Sequence, residues 1–263
     1  MRLREAQWYF FDLDDTLHDY RKASLAATTA ILEKIHTDHL PQCPLPSLHS
    51  DYILILSHDT PHAFTDGKTS HQYRSARISR LLSHHNITLD NTNMEVLLSL
   101  YETVLSANLS LKSDVLPFLD LLKHHGHKIA IISEGPQDAQ ERAIETLGLT
   151  PYVEYLATSN KLGVAKTEGL FERVLEDLDV EARDVVLVGG SWERDVLPAQ
   201  GLGICWVHYQ EVWDGELEWS GMRFCRWRGI FQLVDEAHRE VRVPLPFEKE
   251  SRRIWDERGW GGR

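Results

Sequence analysis

Three cysteines in 263 residues, Cys43, Cys205 and Cys225, are too few and too widely spaced to form a CxxC pair. That excludes a disulfide framework and a cysteine zinc site, and leaves reduced thiols in a cytoplasmic protein as the expectation. No unbroken run of 18 apolar residues occurs, so no membrane span is expected. The charged start, MRLREAQ, runs straight into apolar sequence without a signal-peptide pattern. Cations are in the minority, with 28 Lys and Arg against 40 Asp and Glu, and no basic stripe is visible. The formal charge of −12 argues against general nucleic-acid binding and requires any anionic ligand to find local cations. There is no internal repeat and no low-complexity tract. The fourteen histidines include the pairs His84–His85 and His124–His125, which lie on polar, helix-like stretches and read as solvated surface.

What the chain does have is concentrated at residues 8–17, WYFFDLDDTL. An apolar, aromatic run of this kind reads as a buried strand, and it stops abruptly at Asp12, Asp14, Asp15 and Thr16. Strand alternation would put Asp12 and Asp14 on one face and Leu13 in the core. Two carboxylates held together at the carboxyl end of a buried strand need a cation, a shared proton or a chemical task. Such strand ends are also where α/β sheets build their sites.

The rest of the chain divides in two. Residues 18–110 carry helical periodicity: a helix over 20–39 stopped by Pro41, Pro44 and Pro46, a short apolar run at 51–56 that suits a helix start or a strand, a loop over 58–70, and helices over 70–86 and 93–109. No strong strand signal occurs there, and the segment reads as an inserted helical domain. Residues 111–263 begin with a regular alternation: helix 114–125, strand 128–133, helix 137–147, strand 153–157, helix 167–178, strand 184–189, short helix 195–200 and strand 203–208. This pattern predicts a parallel sheet completed by the strand at residue 8. Beyond it lie Trp213, Trp219 and Trp227, a helix expected over 229–240, and a charged tail with Trp255 and Trp260; packing is the expected role of these tryptophans.

Asp12-Leu13-Asp14-Asp15-Thr16 after an apolar strand resembles motif I of the haloacid dehalogenase-like (HAD) hydrolases, DxDxT. Ser133 ends the second strand, as the motif II Ser or Thr does. Lys166 stands in a segment similar to the family's GxxKPxPxxF, with Thr167 in place of the first Pro. Lys161 competes for that place, but the Thr-Glu-Gly-Leu-Phe after Lys166 matches better. Residues 185–195, VVLVGGSWERD, resemble motif IV, usually GDxxxD. The resemblance covers 8–17 and about 114–208, and implies a Rossmann-like α/β core formed by 1–17 and 111–263, with 18–110 as a helical cap. It further implies Mg²⁺-dependent hydrolysis of a small phosphate monoester by a monomer or homodimer.

Within that resemblance Asp12 is the nucleophile, forming an aspartyl-phosphate. Asp14 is the acid–base residue. Ser133 and Lys166 hold and neutralise the phosphoryl group. Thr16, His18, Glu134, Gly135 and Arg74 are the candidate substrate contacts, with Tyr20 and Arg77 facing the same way and Thr16 also suited to organising the turn. Asp12, Asp14 (through its backbone carbonyl) and Asp195 are the candidate magnesium ligands. The departure is Gly190, where the family usually has a ligating Asp; Asp195, or less readily Glu193, would have to compensate. Two alternatives follow: a metal-independent 2-haloacid dehalogenase, against which the acidic Asp14 speaks, and a catalytically silent binding protein.

Overall fold

The computed structural model describes residues 3–59 and 64–210, the backbone of 222–224, and Trp227, Ile230, Val234, Asp235 and His238. In chain order the elements are β1 (Trp8–Phe11), α1 (Tyr20–His39), α2 (Leu45–Asp59), α3 (Ser70–His84), α4 (Asn91–Asn108), α5 (Val115–His124), β2 (Lys128–Ser133), α6 (Gln137–Thr146), β3 (Tyr155–Thr158), α7 (Ser159–Leu162), α8 (Leu170–Leu178), β4 (Val185–Gly189), α9 (Leu197–Gly201), β5 (Cys205–Tyr209) and β6 (Met222–Phe224). The described strands form one sheet in the order β3-β2-β1-β4-β5-β6, with every neighbouring pair parallel. This is the Rossmann-like α/β architecture that the alternation predicted. The strand order reverses beside β1, and at such a switch point the carboxyl ends splay to open a crevice.

Alternation along the strands sends side chains to two cores. Tyr9 and Phe11 join Ile129, Ile131, Val186 and Val188 on one face, covered by Phe118 and Leu122 of α5 and by Ile144 of α6. Trp8 and Phe10 join Ile132, Val185 and Leu187 on the other, covered by Phe171 and Val174 of α8. All four β1 side chains are buried, as expected of a central strand sheltered on both faces. Helices α1–α4 enclose a third core, built from Ala27, Ile31, Ile35, Ile78, Leu81, Leu97 and Tyr101. Among the described residues no helix is long and apolar enough to cross a membrane.

Several local expectations shift. The first strand ends at Phe11, and the chain turns at 15–17, where Asp15 takes a left-handed φ of 60°. The alternation nevertheless carries through to Asp14: Leu13 is buried in the same core as Tyr9 and Phe11, and Asp12 and Asp14 both face the crevice. The run at 51–56 belongs to α2, which starts as early as Leu45. Pro46 does not stop that helix, because the first turn has no use for its missing N–H. The helix read over 167–178 divides into a 3₁₀ turn at Lys166–Glu168 and α8, broken at Gly169 with φ 115°. The short helix read over 195–200 becomes a π-turn, Trp192–Val196, followed by α9. β6 had no signal in the sequence.

In the C-terminal part, Trp227 is buried against Tyr209, Phe118 and Phe11, and its indole N–H donates to the Thr16 carbonyl at 3.0 Å. Packing is thus the role of this tryptophan. Trp213, Trp219, Trp255, Trp260 and most of the helix expected over 229–240 lie outside the described residues.

A polar clasp ties the helical layer to the sheet. Asp138 of α6 accepts from the Ser70 backbone N–H (2.9 Å) and hydroxyl (2.7 Å) at the start of α3, and from Arg142 at 3.0 Å. Arg142 also donates to Ser70 and to Glu102 of α4. Burial alone would raise the Asp138 pKa, but the Ser70 and Arg142 contacts outweigh it and hold the carboxyl below its ordinary value. The stabilisation is therefore present above the unfolded-state value and lost as pH falls through the folded one. Asp138→Asn is expected to lower stability by about 1–2 kcal/mol at pH 7. In urea melts the gap to wild type should close below roughly pH 4; a gap that persists at low pH would refute the ionic account.

Candidate active site

The crevice at the strand ends is a cleft of about 1260 Å³ between the sheet and α1–α4. Asp12, Asp14, Ser133, Glu134, Gly135, Arg74, Lys166, Gly190 and Asp195 all line it. The loops after β1, β2 and β4 and the 3₁₀ turn before α8 thus bring residues from four separate stretches to one place. Against a background charge of −12, the cleft also gathers Arg21, Lys22, Arg77, Lys112, Arg142 and Arg194.

Its centre is an ion triad. Lys166, 3% exposed, donates from Nζ to Asp12 Oδ1 and to Asp195 Oδ1, each at 2.6 Å. Burial by itself would push the ammonium pKa down, but the two carboxylates overcome it and hold the lysine protonated. Burial acts on Asp195 in the opposite sense and raises it to about 6, against the pull of Lys166. Asp195 reaches this position because residue 189 is glycine: a Cβ there would lie 2.5 Å from the Asp195 Cβ. The second Asp195 oxygen accepts from the Ser191 backbone N–H at 2.8 Å. Lys161 is not part of this group; its N–H is held by Thr158 at the start of α7.

Two residues expected to touch a substrate are instead buried beneath the carboxylates. Thr16 is fully buried, and its hydroxyl donates to Asp12 Oδ2 at 2.6 Å. His18 is fully buried, with Nε2 2.9 Å from Asp14 Oδ1. Glu134 accepts from the Lys166 backbone N–H at 3.0 Å and so fixes the lysine's loop. Arg74 does line the cleft, but it is paired with Glu102 and lies over the Tyr101 ring at 4.4 Å. One participant carries no motif signal: Gln140 of α6, 4% exposed, donates from Nε2 to Asp14 Oδ2 at 3.2 Å. Only its place three residues into the helix after motif II could have pointed to it.

In the expected metal set, the Asp12 and Asp195 carboxylates are both bonded to Lys166. The expected Asp14 ligand is its backbone carbonyl, which the side-chain bonds to His18 and Gln140 do not engage. Among the described residues, the one group of three such side chains close enough for a single ion is Asp51, His84 and His85 on the helical layer. Oxygen donors at the cleft include the Asp12 carboxylate, Glu193 and backbone carbonyls, a set that suits an ion keeping several of its waters. Gly190 adds no side chain, and a Cβ there would lie 3.0 Å from Thr16 Oγ1.

Comparison with known proteins agrees with this geometry. The family profile described as haloacid dehalogenase-like hydrolase matches residues 9–208. Ribulose-1,5-bisphosphate 5-phosphatase of Halopiger xanaduensis is 27% identical over 206 residues, 74% of this chain and 80% of that protein. Pyrimidine 5'-nucleotidase YjjG of Escherichia coli is 35% identical over 94 residues, 34% of this chain and 42% of that protein. Among solved structures, the magnesium-bound HAD hydrolase YfnB of Bacillus subtilis superposes with a TM-score of 0.67 at 18% identity, over 88% of this chain and 99% of that one. A 2-haloacid dehalogenase of Pseudomonas syringae superposes at 0.61 and 22%, over 88% and 99%. At these identities the superpositions establish the fold, and the profile spanning both the nucleophile turn and β5 establishes the lineage: the chain belongs to the haloacid dehalogenase-like hydrolases.

Proposed function

We propose that this hydrolase cleaves the phosphate monoester of a small molecule through an aspartyl-phosphate on Asp12, with Mg²⁺ as cofactor. The observation that carries the reading is the second carboxylate. Asp14 lines the same cleft as Asp12 and is held there by His18 and Gln140. Displacement at carbon by one carboxylate has no need of a second one kept in place; phosphoryl transfer from an ester oxygen, which must be protonated as it leaves, does. The phosphatase names of the sequence relatives point the same way.

The steps follow from the residues present. Asp12 attacks phosphorus, the bond to the ester oxygen breaks, and Asp14 gives that oxygen a proton. Asp14 then takes a proton from water, which attacks the phosphorus of the aspartyl-phosphate and releases inorganic phosphate and the Asp12 carboxylate. Lys166 holds the Asp12 carboxylate in place and neutralises charge on the phosphoryl oxygens. Ser133 at the end of β2 binds those oxygens. Bound at the Asp12 carboxylate and, as the family resemblance implies, the Asp14 backbone carbonyl, magnesium would lessen the repulsion between nucleophile and substrate. The helical layer shields the site from water.

Phosphate release from p-nitrophenyl phosphate tests the reading. Turnover is expected to need Mg²⁺ and to vanish in Asp12→Asn. Dehalogenation of a 2-haloacid without metal would transfer the assignment to the rival chemistry, which the bare Gly190 favours. Inactivity towards both substrate classes would leave a binding protein.

Gly190→Asp is expected to lower the Mg²⁺ concentration for half-maximal rate relative to Gly190→Ala, which shares the contact with Thr16 but adds no ligand. Equal Mg²⁺ requirements in the two variants would remove Gly190 from the metal account.

Lys166→Met is expected to abolish turnover and to cost about 3–5 kcal/mol, because two buried carboxylates lose their counter-ion. Burial already raises Asp195 to about 6, above the unfolded carboxyl near 3.9. The folded state therefore binds the extra proton between roughly pH 4 and 6, and stability falls as pH rises through that window. Melts of the variant should show a larger deficit at pH 8 than at pH 5.

A further inference from the structure

Both oxygens of the Asp14 carboxylate are occupied by side chains that give up something to be there. His18 approaches Oδ1 from the residues just beyond the turn, and Gln140 approaches Oδ2 from α6, on the far side of the cleft floor. Each is buried, and each leaves its other polar atom, His18 Nδ1 and Gln140 Oε1, buried without a hydrogen-bond partner. A leucine or methionine at 140 would fill the same space with no orphaned oxygen. A buried polar side chain kept at such a disadvantage is explained by what its bonded end holds in place.

The path of Gln140 to Asp14 depends on a second residue. Gly135, in the loop after β2, faces the amide: a Cβ built there would lie 2.6 Å from Gln140 Nε2 and 3.4 Å from its Cδ. The φ of Gly135 is not in the left-handed region, so the backbone has no need of glycine. A Cβ at 135 would push the Gln140 amide aside, so glycine there leaves the side chain its path to Asp14.

We infer that Gln140 is a positioning residue, which holds the Asp14 carboxylate at the leaving-group side of the cleft, and that Gly135 serves the reaction by leaving Gln140 room. The inference rests on the phosphatase reading, and it assigns to Gly135 a structural part instead of a direct substrate contact. A general acid has to sit within hydrogen-bond reach of the oxygen it protonates, and small displacements forfeit much of its effect. The loss should scale with how badly the leaving group needs the proton. Nitrophenolate departs readily without one, and phenolate does not.

The test compares phenyl phosphate with p-nitrophenyl phosphate in wild type, Gln140→Leu, Gly135→Ala and the double variant, with thermal melts as a check on folding. Gln140→Leu is expected to lower kcat for phenyl phosphate by about tenfold or more, and for p-nitrophenyl phosphate by less than about threefold, with KM for both nearly unchanged. Gly135→Ala, which removes no polar group but displaces the Gln140 amide, is expected to reproduce the pattern. The double variant should be no worse than the more affected single one, because both changes break the same contact. Equal losses on the two esters, or losses that multiply in the double variant, would overturn the inference while leaving the phosphatase reading standing. A wild-type protein that hydrolyses neither ester would overturn the phosphatase reading, and this inference with it.

Discussion

The cleft is organised around one buried ammonium. Lys166 stands between Asp12 and Asp195, and each partner is delivered by a different piece of chain: the turn after β1, the loop beyond β4 and the 3₁₀ turn before α8. Buried like charges of this kind persist only with a counter-ion and full hydrogen bonding. The surroundings supply both. Thr16 and the Ser191 backbone N–H take the remaining carboxylate oxygens, and Glu134 fixes the lysine's own backbone. Gly189 is shaped by the same demand, because nothing larger fits against Asp195. The triad therefore accounts for the residue types at several positions that never touch a substrate.

Around this centre the two carboxylates of the nucleophile turn have different surroundings. Asp12 faces a fixed cation, whereas Asp14 is held by an imidazole and an amide and is 23% exposed. Two similar side chains, two residues apart, are thereby given different partners and different freedom. Two arginines that line the cleft, Arg74 of α3 and Arg142 of α6, both pair with Glu102 of α4, so their charge ties the helical layer to the helices of the sheet.

The fold was legible because its strongest signals are local. Apolar runs ending in Asp12, Ser133 and Gly189 marked the strand ends, and the helical period of residues 18–110 marked the layer above them. The chemistry-bearing residues with a motif were legible for the same reason. The remainder depends on tertiary geometry. Strand alternation placed Asp12 and Asp14 at the cleft and Leu13 in the core, but the partners that hold the two carboxylates come from distant segments. His18 and Thr16 look like substrate contacts by proximity to the motif, yet packing places them underneath it. Gln140 has no distinguishing pattern, and its contact spans 126 residues. Asp195 reads as a spare metal ligand until Lys166 is seen to occupy it.

Trp227 gives the nucleophile turn an unexpected history. Its indole holds the Thr16 carbonyl from 211 positions along the chain, and the strands flanking β1 lie at 128–133 and 185–189. The first strand synthesised therefore has no partner until about half of the chain exists. Contacts of such wide sequence separation form late. The helical layer, with its own core drawn from residues 23–105, has all it needs much sooner. On the ribosome the layer that covers the cleft can condense while the strand that carries Asp12 is still waiting, so the covering of the cleft takes shape before the site it covers.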